Sequence, residues 1–164
     1  MFRQEHIGMP KVEALAAMLT EINPEIDRNL KLVGEGYKDQ RLSGYVFLCV
    51  DNIERRHKIA QINKNNPYIK AMFDFRTRLT DAQHYAANWR DMKQVDNFIR
   101  SMNFTHEEAA AETPVSACNV TLSVAPTVRM ACSLGAANFV NFAKGEGLKK
   151  FIQIDAFKFI LDAF

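Results

Sequence analysis

The sequence predicts an α/β chain with an incomplete wound sheet that gains antiparallel strands toward its carboxyl terminus. Three observations carry this expectation. Tyr45-Val-Phe-Leu-Cys-Val50 is a continuous apolar run, as expected of a parallel strand buried on both faces, and a helical pattern follows it at once. Ile69–Thr77 and Ala82–Trp89 read as two strands able to pair as an antiparallel hairpin. From Lys149 to Phe164, apolar and polar residues alternate around Asp155, which reads as two further strands.

The elements follow in order. Pro10–Ile22 reads as an amphipathic helix: Pro10 suits the first helical position, and Val12, Leu15, Ala16 and Leu19 share one face. Asn23-Pro24 stops it, and a short strand is expected around Leu30–Val33, with a loop to Ser43. The apolar strand ends at Asp51-Asn52. Asp51 and Glu54 are spaced like a capping box, opening a helix that runs to about Asn65 before Asn-Pro breaks it. Leu79-Thr80-Asp81 is the turn of the hairpin. Met92, Val95, Phe98, Ile99 and Met102 fit one helical face, and Thr105 with Glu108 forms a second capping box. A long helix is expected from about Asn119. Its small residues (Ala125, Ala131, Ser133, Gly135, Ala136, Ala137) suit a buried helix packed closely on a sheet. No repeat or linker divides the chain, so residues 1–164 read as one domain.

Composition narrows the function classes. Hydrophobic residues make up 48% and charged residues 24% of 164, with a net charge of +2. That is the balance of a globular domain, and it offers no basic field for nucleic acid. Cys49, Cys118 and Cys132 form no CxxC pair, which fits a reduced, cytoplasmic protein and argues against a disulfide framework or a zinc site. The stretch Cys118–Ala143 carries one charge, Arg129, but Pro126 and several Asn and Ser residues argue against a membrane span. The amino terminus has no apolar signal segment.

Two segments resemble a known family. Ile7-Gly8-Met9-Pro10-Lys11, followed by a helix ending in Ile22-Asn23-Pro24, is similar to the ThiF/MoeB-type adenylyltransferases, whose fold is shared with ubiquitin-activating enzymes. Val46-Phe-Leu-Cys-Val-Asp51-Asn52, with Arg56 four residues beyond the Asn, resembles the same family's apolar strand and its Asp-Asn. The resemblance covers nearly the whole chain, with its specificity in the first third. It implies a Rossmann-like sheet. The family's glycine-rich phosphate turn, the acidic residue after its second strand and its Asn-Arg-Gln motif precede Ile-Gly-x-Pro-Lys, and none is found in this sequence. Arg3-Gln4 does not align with the last of these. The expectation is therefore the carboxyl-terminal part of an adenylation domain, truncated or completed by another chain, with an open sheet edge that a second copy or a partner chain covers.

The resemblance implies ATP-dependent activation of the carboxyl-terminal carboxylate of a ubiquitin-fold or sulfur-carrier protein, with ATP and Mg²⁺ as cofactors. It leaves open whether this chain acts as an enzyme by itself. The alternative is a non-catalytic scaffold or interaction domain. Attack of a carboxylate on a polyphosphate is slow unless cations neutralise the accumulating charge. Lys11, at a helix amino terminus, could place an ammonium beside phosphates, or it is a solvated first-turn lysine. Asp51, at the carboxyl end of a strand, could help hold Mg²⁺, or cap its helix, or do both. Asn52 and Arg56 are further nucleotide-binding candidates, Arg56 equally an exposed helix arginine or a dimer contact. Cys118 is the candidate nucleophile, because it lies near a helix start. Cys49 and Cys132 read as core. His6, His57, His84 and His106 form no ligand set, and Phe98, Phe139, Phe151, Phe157 and Phe159 read as packing residues.

Overall fold

A computed structural model describes residues 3–29, 42–111 and 124–164. The chain divides into two compact units, Met1–Gln40 and Arg41–Phe164. In the first, helix α1 (Lys11–Ile22) has a single fully buried residue, Ala14. Pro10 is its N-cap and not its first helical residue. Arg3 pairs with Glu21 through its two terminal guanidinium nitrogens at 3.0 and 2.7 Å, tying the segment ahead of the helix to its last turn. The strand expected at Leu30–Val33 lies outside the described residues.

The second unit holds a five-stranded sheet in the order β1-β2-β3-β4-β5. The strands are β1 (Gly44–Leu48), β2 (Ile69–Thr77), β3 (Asp81–Asn88), β4 (Phe151–Asp155) and β5 (Ile160–Ala163). β1 and β2 are parallel and joined by helix α2 (Ile53–Ile62), while every later pair is antiparallel. This is the wound sheet with added antiparallel strands that the sequence predicts. The parallel pair needs a crossover, which α2 provides, and the later strands close as hairpins, except that the helices within residues 92–144 lie between β3 and β4.

Helix α3 (Met92–Arg100) is capped by Asp91, whose carboxylate accepts from the amides of Lys93 and Gln94. Helix α4 (His106–Ala111) opens with the expected capping box: the Glu108 amide donates to Thr105 Oγ1 at 3.1 Å, and the Thr105 amide to Glu108 Oε2 at 2.7 Å. Helix α5 (Ala125–Lys144) begins six residues later than expected, with Val124 as N-cap and Pro126 in its first turn. Gly145 then ends it in the left-handed conformation, as a Schellman-type stop requires.

Side chains alternate across the sheet, so its two faces meet different helices. On one, Ala71, Phe73 and Ala86 pack with Tyr45, Phe75, Phe139 and Phe142. A neighbouring cluster joins Ala82, Ile152 and Ile154 to Ala131, Met130 and Leu134 of α5. Only Thr127, Ala131, Gly135 and Asn138 of α5 are buried, one residue every three or four, so the helix is buried along a stripe and not throughout. Gly135 lies against the Phe75 ring so closely that a Cβ there would overlap it. α3 covers the opposite face with Val95, Phe98 and Ile99, and the Trp89 ring meets Phe98 edge-on, with centroids 5.8 Å apart.

Several expectations change. β1 is an edge strand among the described residues, and Phe47 is 43% exposed, so the apolar run is not buried on both faces. Cys49 and Cys132 are exposed, not core. Phe157 and Phe159 are exposed too, Phe159 by 91%, in the turn between β4 and β5. α2 stops at Ile62, three residues early, where the Asn63 side chain turns back to bond the Ile59 carbonyl.

Candidate functional site

The carboxyl end of β1 is where an α/β sheet presents a ligand. The last rung joining β1 to β2 pairs Leu48 with Asp74. Beyond it the chain runs through Cys49, Val50 and Asp51 to Asn52, which caps α2: its Oδ1 accepts from the Arg55 amide at 2.9 Å. The cap is Asn52 and not Asp51, which corrects the expected Asp51–Glu54 capping box. The register is one residue later, because Asn52 holds the extended conformation and Ile53 is the first helical residue. Asp51 is thereby left exposed, and among the described residues no hydrogen bond or ion pair engages its carboxylate.

Arg56 points back from the first turn of α2. Its Nε donates to the Val50 carbonyl, and its Nη1 donates to Asp74 Oδ1 at 2.7 Å and to the Phe75 carbonyl at 2.6 Å. Asp74 is completely buried. Its other oxygen accepts from Arg76 Nε at 2.6 Å, and Arg76 also donates to the Ser101 carbonyl and hydroxyl, both at 2.8 Å. The Arg76 guanidinium lies 4.1 Å from the centroid of the Tyr85 ring. A buried carboxylate between two nearly buried guanidiniums satisfies the requirement that an interior charge be paired. Arg56 is therefore neither an exposed helix arginine nor free to take a ligand with these donors.

A second polar chain lies on the α5 face. His84 Nδ1 is 3.0 Å from the Asp74 carbonyl, and its Nε2 is 3.1 Å from Asn138 Nδ2. Asn138 also spans the Lys149 backbone, donating to its carbonyl at 2.8 Å and accepting from its amide at 2.9 Å. A carbonyl only accepts, so His84 Nδ1 carries the proton and Nε2 receives the Asn138 amide. Burial pushes the His84 pKa below its ordinary value, against the opposing pull of Asp74.

The sequence-derived candidates do not all gather here. Asp51, Asn52 and Arg56 share the β1–α2 turn. Lys11 is the exposed first residue of α1 in the other unit. Cys118 lies outside the described residues. Asp74, Arg76, His84 and Asn138 were missed, although one signal was available: charged and imidazole side chains set within the otherwise apolar strands around Phe73 and Ala86.

Among the described residues, no three His, Cys, Asp or Glu groups come together to hold a metal ion. Mg²⁺ does not need such a cage, since one or two carboxylates with substrate phosphates suffice, and a lone free Asp51 fits that demand. A nearby cleft of ≈ 250 Å³, lined by Glu54, His57, Phe104 and Glu108 among others, falls below the roughly 300–1,000 Å³ usual for ligand pockets. Among the described residues, no helix is long and apolar enough to cross a membrane.

The turn geometry and the sheet order meet a matching family signature: a sequence model of the ThiF family matches residues 1–164. The chain belongs to the ThiF family. No curated protein matches it significantly. Membership associates this ThiF chain with adenylyltransferase-like activation of ubiquitin-like or sulfur-carrier proteins, a family that generally uses ATP and Mg²⁺.

Proposed function

We propose that this ThiF chain contributes part of an adenylation site, in which Asp51 is the working residue of the Arg41–Phe164 unit. The observation that carries the reading is Asp51: an exposed, unengaged carboxylate at the carboxyl end of a parallel strand, on a turn fixed by Asn52 and Arg56. In the reaction, the carboxyl-terminal carboxylate of a ubiquitin-fold or sulfur-carrier protein attacks the α-phosphorus of ATP. The bond to pyrophosphate breaks, leaving an acyl-adenylate. Mg²⁺, when bound, supplies positive charge to the phosphates. Asp51 would offer it an oxygen ligand, while Lys11, at the α1 amino terminus of the other unit, is kept as a candidate cation on the family resemblance alone. Asn52 contributes by holding the turn. Cys118 is kept as a candidate acceptor of the activated carboxylate.

A scaffold reading has an observation of its own. β5 is an outer strand whose four residues are all exposed, next to exposed Phe157, Phe159 and Phe164, and among the described residues β1 forms the other edge. Open edges and apolar patches suit a surface that a second copy or a partner chain covers.

Calorimetric titration of the chain with ATP and Mg²⁺ separates the readings. The adenylation reading expects binding that weakens about tenfold or more in Asp51→Ala and in Lys11→Ala. Pyrophosphate exchange would then be assayed with a ubiquitin-fold protein added. No heat from the wild-type chain at millimolar ATP would sink the adenylation reading in favour of the scaffold.

A further inference from the structure

We infer that Arg56 is a positioning residue for Asp51, anchored by the buried carboxylate of Asp74; its functional consequence rests on the adenylation reading. β1 and β2 exchange their last rung at Leu48 and Asp74. Past that point the β1 chain has no backbone partner on β2, and an unsupported turn would be free to move. Arg56 fills the split. Its fork bonds the Val50 carbonyl on the β1 side and the Phe75 carbonyl on the β2 side, standing in for the rung the backbone no longer makes.

The consequence for Asp51 is specific. Its preceding neighbour, Val50, is held through its carbonyl by Arg56 Nε. Its following neighbour, Asn52, is held twice: its side chain takes the Arg55 amide at 2.9 Å, and its carbonyl takes the Arg56 amide at 3.2 Å. The backbone is therefore pinned on both sides of Asp51 while its carboxylate stays free. The guanidinium cannot swing away. Asp74 Oδ1 holds it at 2.7 Å, and Asp74 itself is fixed through Oδ2 by Arg76.

Charge alone would not suffice. A lysine ammonium could pair with Asp74, but it is a single point on a flexible stem. It cannot aim separate donors at carbonyls of two strands as a planar fork does. Arg56→Lys therefore separates neutralisation of Asp74 from bracing of the turn, where Asp74→Asn risks failing to fold with two arginines unpaired.

The test uses the full chain, wild type and Arg56→Lys, in two arms. Amide hydrogen exchange by NMR is expected to speed up about tenfold or more in Arg56→Lys at residues 55 and 56, whose amides bond Asn52, with the Gln83–Ala87 amides of β3 unchanged. Wild-type exchange at the turn in Arg56→Lys would overturn the inference, since Arg56 would then serve only to neutralise Asp74. In the second arm, titration with ATP and Mg²⁺ compares Arg56→Lys, Asp51→Ala and the double variant. Arg56→Lys alone is expected to weaken binding about tenfold, and to add nothing further once Asp51 is gone. Additive losses would mean that Arg56 acts on the nucleotide directly, and would overturn the positioning role. If the wild-type chain binds no nucleotide, the adenylation reading fails, and the exchange arm alone decides the brace.

Discussion

Asn138→Leu tests whether the polar chain linking β2, β3, α5 and β4 acts as one unit. Leucine keeps much of the volume and removes three hydrogen bonds, one to His84 and two to the Lys149 backbone. His84 is fully buried, so its Nε2 loses its partner with no water to replace it. That costs about 1–3 kcal/mol, and the two bonds to exposed Lys149, which can turn to water, about 0.5–1 kcal/mol each. The sum is roughly 3 kcal/mol, or a fall in Tm of about 10 °C for a unit of this size.

The loss should also depend on pH. Because the native His84 pKa lies below 6.5, the unfolded chain takes up a proton first. The stabilisation is complete above 6.5 and is lost as pH falls from there through the native value. In the wild type, a proton on Nε2 would face the Asn138 NH₂ group, donor against donor; leucine removes that conflict. The variant should therefore lose less on acidification, and the stability gap should narrow between about pH 7.5 and pH 5.5. Urea unfolding of both proteins at the two pH values measures it. A gap under about 1 kcal/mol at neutral pH, with no pH dependence, would refute the network and leave Asn138 as packing.

Three further outcomes follow from local geometry. Gly135→Ala should destabilise by about 1–3 kcal/mol despite alanine's better helix propensity, because the added methyl overlaps the Phe75 ring; an unchanged or raised Tm would contradict the close approach. Asn52→Ala should cost about 1 kcal/mol as a lost cap, whereas Asp51→Ala should stay within about 0.5 kcal/mol of wild type; equal losses in chemical denaturation would return the cap to Asp51. Phe159 adopts φ 56 in the β4–β5 turn, so Phe159→Gly should gain about 0.5 kcal/mol, read as a higher denaturation midpoint. A lower midpoint would show that the exposed ring does more than occupy the turn.

Local patterns made most of the sheet legible. The β2–β3 hairpin, the α3 face and the Thr105–Glu108 box were all readable because alternation, helical spacing and capping are short-range rules. What failed needed knowledge of neighbours. A run such as Tyr45–Val50 has the same composition at the centre or the edge of a sheet, and only pairing reveals that β1 has one partner among the described residues. The start of α5 was misplaced because Asn119 and Ala125 both lie in a stretch of small and β-branched residues, with no side-chain cap at Val124 to mark the boundary. At the candidate site, Asp51 and Arg56 stood out through the family resemblance, Asp51 also through its place at the carboxyl end of a strand. Asp74 was not, since its meaning lies in two arginines, one on α2 and one two residues along its own strand, that converge on it only after folding.

The sheet order, which equals the order of the strands along the chain, bears on how the protein is made. A ribosome releases the strands in the sequence in which they pair, so each can dock on a neighbour that has already emerged. β3 closes on β2 after a short turn, and β5 on β4 likewise. One join must wait: β4 reaches β3 only after α3, α4 and α5 have been synthesised between them. During that interval β3 presents a bare edge, and Asn138, which later clasps the start of β4, has nothing to hold. The nascent chain is therefore most open to misassociation just before β4 and β5 appear, and a translational pause placed before Lys149 would lengthen that exposure.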